Sequence, residues 1–323
     1  MRFAVLGAGA IGAYVGAALQ RGGSDVTLIA RGEHLRAMAE HGVRVHSPRG
    51  DFESRPATTS DVAAIAEADV VFVGLKAYSL PAIAPTIGPL LRPGAVVVGA
   101  QNGVPWWYFQ RVGGALDGHT LESVDPGGAV TRAFPPERVI GCVVYASTEI
   151  EAPGVIRHIE GTRFTLGTPG GEPSDRCTEI SEALRAGGLK APVDPYLRAQ
   201  IWLKLIGNAA FNPLTTVARS TMGELAASPH AVAFAREVMV ECAAVAAALG
   251  VELPVSIDRR LEAALAVGDH KTSMLQDWET GKPLECDCMT GAVVEIAELV
   301  GVPAPSTRVL HSLTKAVEEL RDG

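Results

Sequence analysis

The sequence predicts an α/β chain of two domains: an N-terminal doubly wound parallel sheet and a second, all-helical C-terminal domain. Three observations predict it. The 323-residue length exceeds what one ordinary core organises. The first half alternates short, nearly continuous apolar runs with helical runs, the pattern of strands buried on both faces. From about Tyr196 onward the chain is alanine-rich, with 3.6-residue periodicity and few β-rich runs. Pro192 and Pro195 mark the change, and the boundary is placed near Asp194, giving domains of residues 1–194 and 195–323.

The first element is an apolar strand over Phe3–Leu6. It runs directly into Gly7, Ala8, Gly9, Ala10, Ile11 and Gly12, a GxGxxG turn, and then into a helix of small residues ending near Arg21. A second strand follows over Val26–Ile29, which completes a βαβ unit of about 30 residues. In such a Rossmann-type turn the first glycine lets the chain bend sharply and the second lets backbone amides approach a pyrophosphate. The third lets the helix pack close on the sheet. The helix start offers free N–H groups and the positive end of a dipole to phosphate. A glycine-rich turn that binds nothing is the other reading of the hexapeptide, and its place between two correctly spaced strands argues against it.

The end of the second strand selects the nucleotide. A carboxylate there would hydrogen-bond a ribose 2′-OH, but the chain offers Ala30 and Arg31. A guanidinium suits a 2′-phosphate, so the expected cofactor is NADPH rather than NADH. An ordinary surface arginine is the alternative. The third strand, Val70–Gly74, leads to Lys76, and the fourth, Val96–Gly99, leads to Asn102. Strand carboxyl ends in open α/β sheets are where ligands bind, although Asn102-Gly103 reads equally well as a plain turn. Further β-rich runs at Val139–Tyr145, Val155–His158 and Phe164–Gly167 are joined by Pro153-Gly154 and followed by Gly170-Gly171-Glu172-Pro173, so hairpins are expected at both places.

Composition narrows the function classes. Apolar residues make up 47% and charged residues 20%, which fits a well-buried globular chain and not a disordered one. The formal net charge of −8 argues against nucleic acid as a partner. Five cysteines, at 142, 177, 242, 286 and 288, have neither disulfide-framework nor metal-ligand spacing. They are expected to be buried free thiols in a reducing cytoplasm, with no metal bound. The first strand begins at residue 2, so no signal peptide is expected. The apolar stretch from Val238 to Val251 is interrupted by Glu241 and reads as a core helix, not a membrane span.

One helical run carries candidate chemistry: Ile201-Trp-Leu-Lys204-Leu-Ile-Gly-Asn208-Ala-Ala-Phe-Asn212-Pro213. Its polar residues stand at i, i+4 and i+8, and each step of four advances only about 40° around a helix. They share one face, bordered by core residues, and Pro213 is expected to end or kink the helix. A lysine among apolar neighbours is costly to bury unless paired. Desolvation favours its neutral form, so it can pass a proton to the oxygen of a carbonyl as that carbonyl is reduced. Asn208 could fix a substrate by hydrogen bonds. A lysine snorkelling to the surface, with asparagines as helix breakers, is the competing reading. Ser273 reads as a helix N-cap and Glu285 as a surface acid on the residues alone.

Taken together, these pieces resemble the ketopantoate reductase family (2-dehydropantoate 2-reductases). The resemblance runs through residues 7–12, Ala-Arg-Gly at 30–32, Leu-Lys-Ala at 75–77 and Gln-Asn-Gly at 101–103. It continues through Pro-Gly-Val-Ile-Arg-His at 153–158, Lys204 with Asn208, Asn-Pro-Leu-Thr at 212–215, Gly223-Glu224-Leu225, Ser273-Met-Leu-Gln-Asp277 and Glu285. It implies a Rossmann domain plus a helical domain, with the active site between them. It also implies NADPH-dependent reduction of 2-dehydropantoate to pantoate, with Lys204 as general acid oriented by Glu285. Asn102 would lie near nicotinamide ribose and substrate, Asn208, Asn212 and Ser273 would contact substrate hydroxyl and carboxylate groups, and Lys76 would lie beside the cofactor. A reductase of another branched or bulky 2-keto acid is the nearest alternative. A non-catalytic NADPH-binding sensor would keep Arg31 and the glycines but need none of Lys204, Asn208 or Glu285. The apolar helical domain is compatible with a homodimer. The chain departs from the family pattern in an aromatic stretch, Pro105 through Gly128, which is read either as a lid or as the anchor of a longer loop.

Overall fold

The computed structural model describes residues 1–266 and 268–322. By its internal contacts the chain divides into two units. Unit 1 holds residues 1–101, 106–120 and 127–197; unit 2 holds 102–105, 121–126 and 198–323.

Unit 1 is built on a seven-stranded sheet. The βαβ start is β1 (Arg2–Leu6), α1 (Ala10–Arg21) and β2 (Asp25–Ile29), followed by α2 (Gly32–His41). The later strands are β5 (Ala57–Thr59), β6 (Val70–Val73), β7 (Val96–Gly99), β8 (Val139–Val144) and β11 (Phe164–Gly167), and α3 (Leu80–Ile87) lies between β6 and β7. Their order is β11-β8-β7-β6-β1-β2-β5, all parallel except β11, which runs antiparallel to β8. β1, β6, β7 and β8 are buried nearly throughout, as covered parallel strands require. Strand order reverses at β1, so its carboxyl end and that of β6 flank the place where nucleotides bind in such sheets.

The sequence reading missed a second sheet, ordered β4-β3-β10-β9, made of β3 (Val43–His46), β4 (Phe52–Ser54), β9 (Ser147–Ala152) and β10 (Val155–Glu160). It packs on the face of α1 away from the large sheet, so α1 is covered on two sides and eight of its residues are buried. The Pro153-Gly154 turn does join a hairpin, β9–β10. The hairpin expected at Gly170–Pro173 is not there: the segment leads into α5 (Asp175–Ala186), whose start is set by the Ser174 hydroxyl accepting the Cys177 N–H at 3.2 Å.

The aromatic stretch is an anchor, not a lid. Trp106, Trp107, Tyr108 and Phe109 are all buried in unit 1. A Cβ on Gly99 or Gly141 would press into the rings of Trp106 and Trp107 respectively, so those strand glycines make room for indoles.

Unit 2 is helical: α6 (Leu197–Ala218), α7 (Met222–Ala226), α8 (Pro229–Ala248), α9 (Ile257–Leu265), α10 (Ser273–Glu279), a π-helical turn at Asp287–Gly291, α11 (Ala292–Val300) and α12 (Pro305–Asp322). α8 packs on α9, α11 and α12, with Val238, Met239, Cys242 and Val245 fully buried. No helix among the described residues is long and apolar enough to cross a membrane. α6 continues through Pro213 rather than ending there. The Asn212 carbonyl accepts the hydroxyls of Thr215 at 2.9 Å and Thr216 at 2.8 Å in the turn that follows the proline. The segment at 121–126 is tied to α11 by Glu295, whose carboxylate accepts the N–H groups of Glu122 and Ser123 and the Ser123 hydroxyl.

All five cysteines are free and buried. Burial pushes the Cys177 thiol up to about 11 and the Cys242 and Cys286 thiols up to about 12, so these three stay protonated at neutral pH.

Candidate active site

In unit 1 the candidate residues gather around three glycines. Gly7 has φ +89°, and a side chain there would strike Leu75. A Cβ on Gly12 would collide with the Gly7 carbonyl oxygen, and one on Gly74 would stand 2.7 Å from that same oxygen. α1 therefore starts tight against the ends of β1 and β6. Gly9 differs: a Cβ there meets nothing within 4 Å, so the space beside its backbone is open. Gly9 is also the N-cap of α1 and supplies no side-chain bond, which leaves the first-turn N–H groups of Ala10, Ile11 and Gly12 without an intrahelical acceptor. Ala8 is buried beneath the turn, and its N–H donates to the Ile29 carbonyl at 3.0 Å.

Arg31 follows β2, N-caps α2, and is exposed with no side-chain hydrogen bond or ion pair among the described residues. Lys76 is half-buried just past β6, where its carbonyl accepts the Ser79 N–H at 3.0 Å. Gln101 ties the sheet end together, donating to the carbonyls of Val73 at 2.9 Å and Leu75 at 3.2 Å.

Unit 2 holds the candidate proton donor. Lys204, half-buried on α6, donates to Asn102 Oδ1 at 2.6 Å. The ammonium is therefore held in a charge-assisted bond, not snorkelling into solvent. Asn102 in turn sits on the π-helical turn: its carbonyl lies 3.5 Å from Cys288 Sγ, and the Val104 N–H donates to the Cys288 carbonyl at 2.7 Å. Glu285 precedes that turn and is 6% exposed, so it is not the surface acid its residue type suggested. Its carbonyl is 3.3 Å from the same Cys288 sulfur.

Further along the face of α6, Asn208 is half-buried and makes no side-chain hydrogen bond among the described residues. Asn212 is buried and directs its amide at Met289 Sδ, 3.8 Å away in the π-helical turn. Ser273 is the exposed first residue of α10, and the cap expected of it belongs to Thr272, whose hydroxyl accepts the Leu275 N–H. Thr272 also meets Thr215 of α6, hydroxyl to hydroxyl, at 2.7 Å. Thus Asn102, Lys204, Asn212 and Glu285 are linked through Cys288 and Met289, while Ser273 stands exposed beside Thr272, which the Thr215–Thr272 pair ties to α6. Sequence reasoning named none of these intermediaries; only Gly103, at φ +82° between Asn102 and Val104, left a legible trace.

Elsewhere in unit 2, ligand atoms of Cys286, Asp287 and His311 lie within 4.8 Å of one another. Asp287 is engaged by the Lys315 ammonium at 3.1 Å and His311 by the Thr290 hydroxyl at 3.0 Å, so the cluster is knit together by protein partners.

Two family models match the chain: ketopantoate reductase PanE/ApbA over residues 3–113, and the ketopantoate reductase PanE/ApbA C terminal over residues 196–318. The chain belongs to the ketopantoate reductase family. A 2-dehydropantoate 2-reductase of Mesorhizobium japonicum is 43% identical, covering 98% of this chain and 97% of its own. Another, from Archaeoglobus fulgidus, is 32% identical and covers 98% of each chain. Among solved structures, a candidate ketopantoate reductase from Ralstonia solanacearum is 38% identical with a TM-score of 0.92, covering 99% of this chain and 98% of its own. Ketopantoate reductase membership thus spans both units, including the glycine turn of one and the Lys204 helix of the other.

Proposed function

We propose that this reductase converts 2-dehydropantoate to pantoate with NADPH, and that Lys204 is the general acid. The observation that carries the proposal is the 2.6 Å bond from the Lys204 ammonium to Asn102. A partly buried ammonium held by an amide oxygen keeps its proton oriented. It is supported by the activity named for relatives that match nearly the whole chain.

The residues present fit the nucleotide. The open space beside Gly9 and the uncapped start of α1 suit a pyrophosphate, and the unengaged Arg31 guanidinium suits a 2′-phosphate. Lys76 adds a second cation past β6. NADPH, when bound, supplies a hydride to the C2 ketone. The ketone oxygen gains negative charge as that carbon is reduced, and Lys204 delivers the proton that completes the alcohol. Asn102 holds the ammonium in one direction, and the buried Glu285 is the carboxylate proposed to orient it. Asn208, Asn212 and Ser273 take the substrate's hydroxyl and carboxylate groups; the free amide of Asn208 supports that role most directly. A cytoplasmic homodimer completes the reading, supported by the exposed apolar side chains of Val309 and Leu313 on α12.

The test is oxidation of NADPH by the purified protein with 2-dehydropantoate as sole substrate, beside a panel of other branched and bulky 2-keto acids. Turnover highest on 2-dehydropantoate is expected. Preference for another acid would keep the mechanism and replace the substrate, and oxidation with none of them would end the proposal.

A further inference from the structure

We propose that Cys288 and Gly103 form the seat that aims Asn102 at Lys204, making both positioning residues for the proton donor. Asn102 belongs to a four-residue segment, 102–105, that is otherwise remote in sequence from the helices of unit 2. Something must fix that segment if its amide is to meet an ammonium at 2.6 Å. The π-helical turn does so from one residue. The Cys288 carbonyl accepts the Val104 N–H at 2.7 Å, and the Cys288 thiol reaches the Asn102 carbonyl at 3.5 Å, so the backbone is gripped on both sides of Gly103.

Gly103 itself lies flat on Cys288. A Cβ built there would collide with the Cys288 carbonyl oxygen and would stand 2.7 Å from its carbon and 2.9 Å from its sulfur. Its φ of +82° excludes ordinary side chains independently. Three close approaches to one residue, plus a left-handed backbone, leave no way to add even a methyl group without lifting the segment. Lifting it moves the Asn102 acceptor away from Lys204. The π-helical turn that supplies the seat also carries Met289, which meets Asn212, and follows Glu285, so one irregular turn registers three candidate site residues. Such single π-turns recur at functional sites because the extra residue re-aims neighbouring groups.

This inference rests on the proposed role of Lys204, and its test separates the two. Crystal structures of the wild type and Gly103→Ala are compared first. The variant is expected to show the Asn102–Lys204 pair opened beyond hydrogen-bonding distance, about 3.5 Å; a pair still closed in the variant overturns the seat whatever the activity. Steady-state kinetics follow. Gly103→Ala should lower kcat about 100-fold with the nucleotide dissociation constant unchanged. In an Asn102→Ala background it should add no more than about twofold, because both changes remove one interaction. Additive losses would show a merely structural effect and overturn the proposal. Cys288→Ser, which keeps a donor, should stay within about threefold of wild type. If Gly103→Ala does not fold, Val104→Pro deletes the N–H that Cys288 holds, and the same two readouts apply. A wild type inactive on 2-dehydropantoate would sink the substrate reading and leave the crystallographic comparison to decide the seat.

Discussion

Lys204 and Asn102 are 102 residues apart in the chain and 2.6 Å apart in the structure, ammonium to amide oxygen. The bond explains why a lysine survives among Ile201, Trp202, Leu205 and Ile206, all of them buried: its charge has a designated acceptor. Lys204→Ala removes the proposed proton source but no part of the glycine turn. Turnover is expected to fall by about three orders of magnitude, within the range for general acid catalysis. NADPH affinity, followed by fluorescence titration, is expected to stay within about threefold of wild type, since truncating one α6 side chain alters no phosphate contact. Near-normal turnover would remove Lys204 from the mechanism.

On the proposed function, Arg31 selects the nucleotide. Arg31→Asp replaces a guanidinium suited to a 2′-phosphate with a carboxylate suited to a ribose hydroxyl. The Michaelis constant for NADPH should rise about ten- to a hundredfold, as for loss of a hydrogen bond to a charged group, while that for NADH falls. Parallel steady-state curves with both nucleotides check it, and an unchanged NADPH value assigns the arginine to the surface.

Trp107 packs against Gly141 and Leu197 in the core of unit 1. Trp107→Ala should cost about 3–5 kcal/mol of stability, read from urea unfolding. The folded fraction should keep its KM for the keto acid, because the ring covers no substrate. A normal unfolding midpoint with an altered KM would restore the lid.

His34 makes unit 1 acid-sensitive. Its Nδ1 accepts the Gly154 N–H at 3.0 Å, which only the neutral ring can do. Burial pushes its pKa below the ordinary 6.5, outweighing the opposing influence of the Ala8 backbone. A folded-state pKa below the unfolded one means that the unfolded chain binds the proton more readily. The stabilisation is complete above about pH 6.5 and is lost as the pH falls through the lower, folded-state value. Thermal unfolding should therefore show a midpoint that drops on acidification from pH about 7.5 to about 5.5. The drop should shrink in His34→Gln. An equal drop in both proteins would assign the acid sensitivity elsewhere.

The four strands read first from the sequence, at residues 3–6, 26–29, 70–74 and 96–99, were legible because they are largely apolar and, Thr27 and Gly74 apart, buried throughout. The second sheet was not. Val43 and Val45 alternate with exposed Arg44 and His46 over only four residues, and Ser147–Ala152 is mostly polar and lacks a fully buried position. Such strands are specified by their neighbours rather than by themselves. At the site, the i, i+4, i+8 spacing placed Lys204, Asn208 and Asn212 on one face of one helix, a local property. The contacts around them, the Cys288 carbonyl on Val104 and the Thr215–Thr272 hydroxyl pair, span at least 57 residues. No periodicity encodes those. Pro213 misled because a proline signals the loss of one N–H, not whether the helix stops there.

The helical unit borrows two short stretches from the first half of the gene, residues 102–105 and 121–126. A fragment beginning at Arg198 would thus lack the acceptor for its own lysine and leave the Glu295 carboxylate with nothing to clasp. Recombination among relatives faces the same constraint. A crossover near residue 197 trades the helices while leaving behind the loops that complete them, so viable chimaeras should keep both stretches matched to the parent that donates α11.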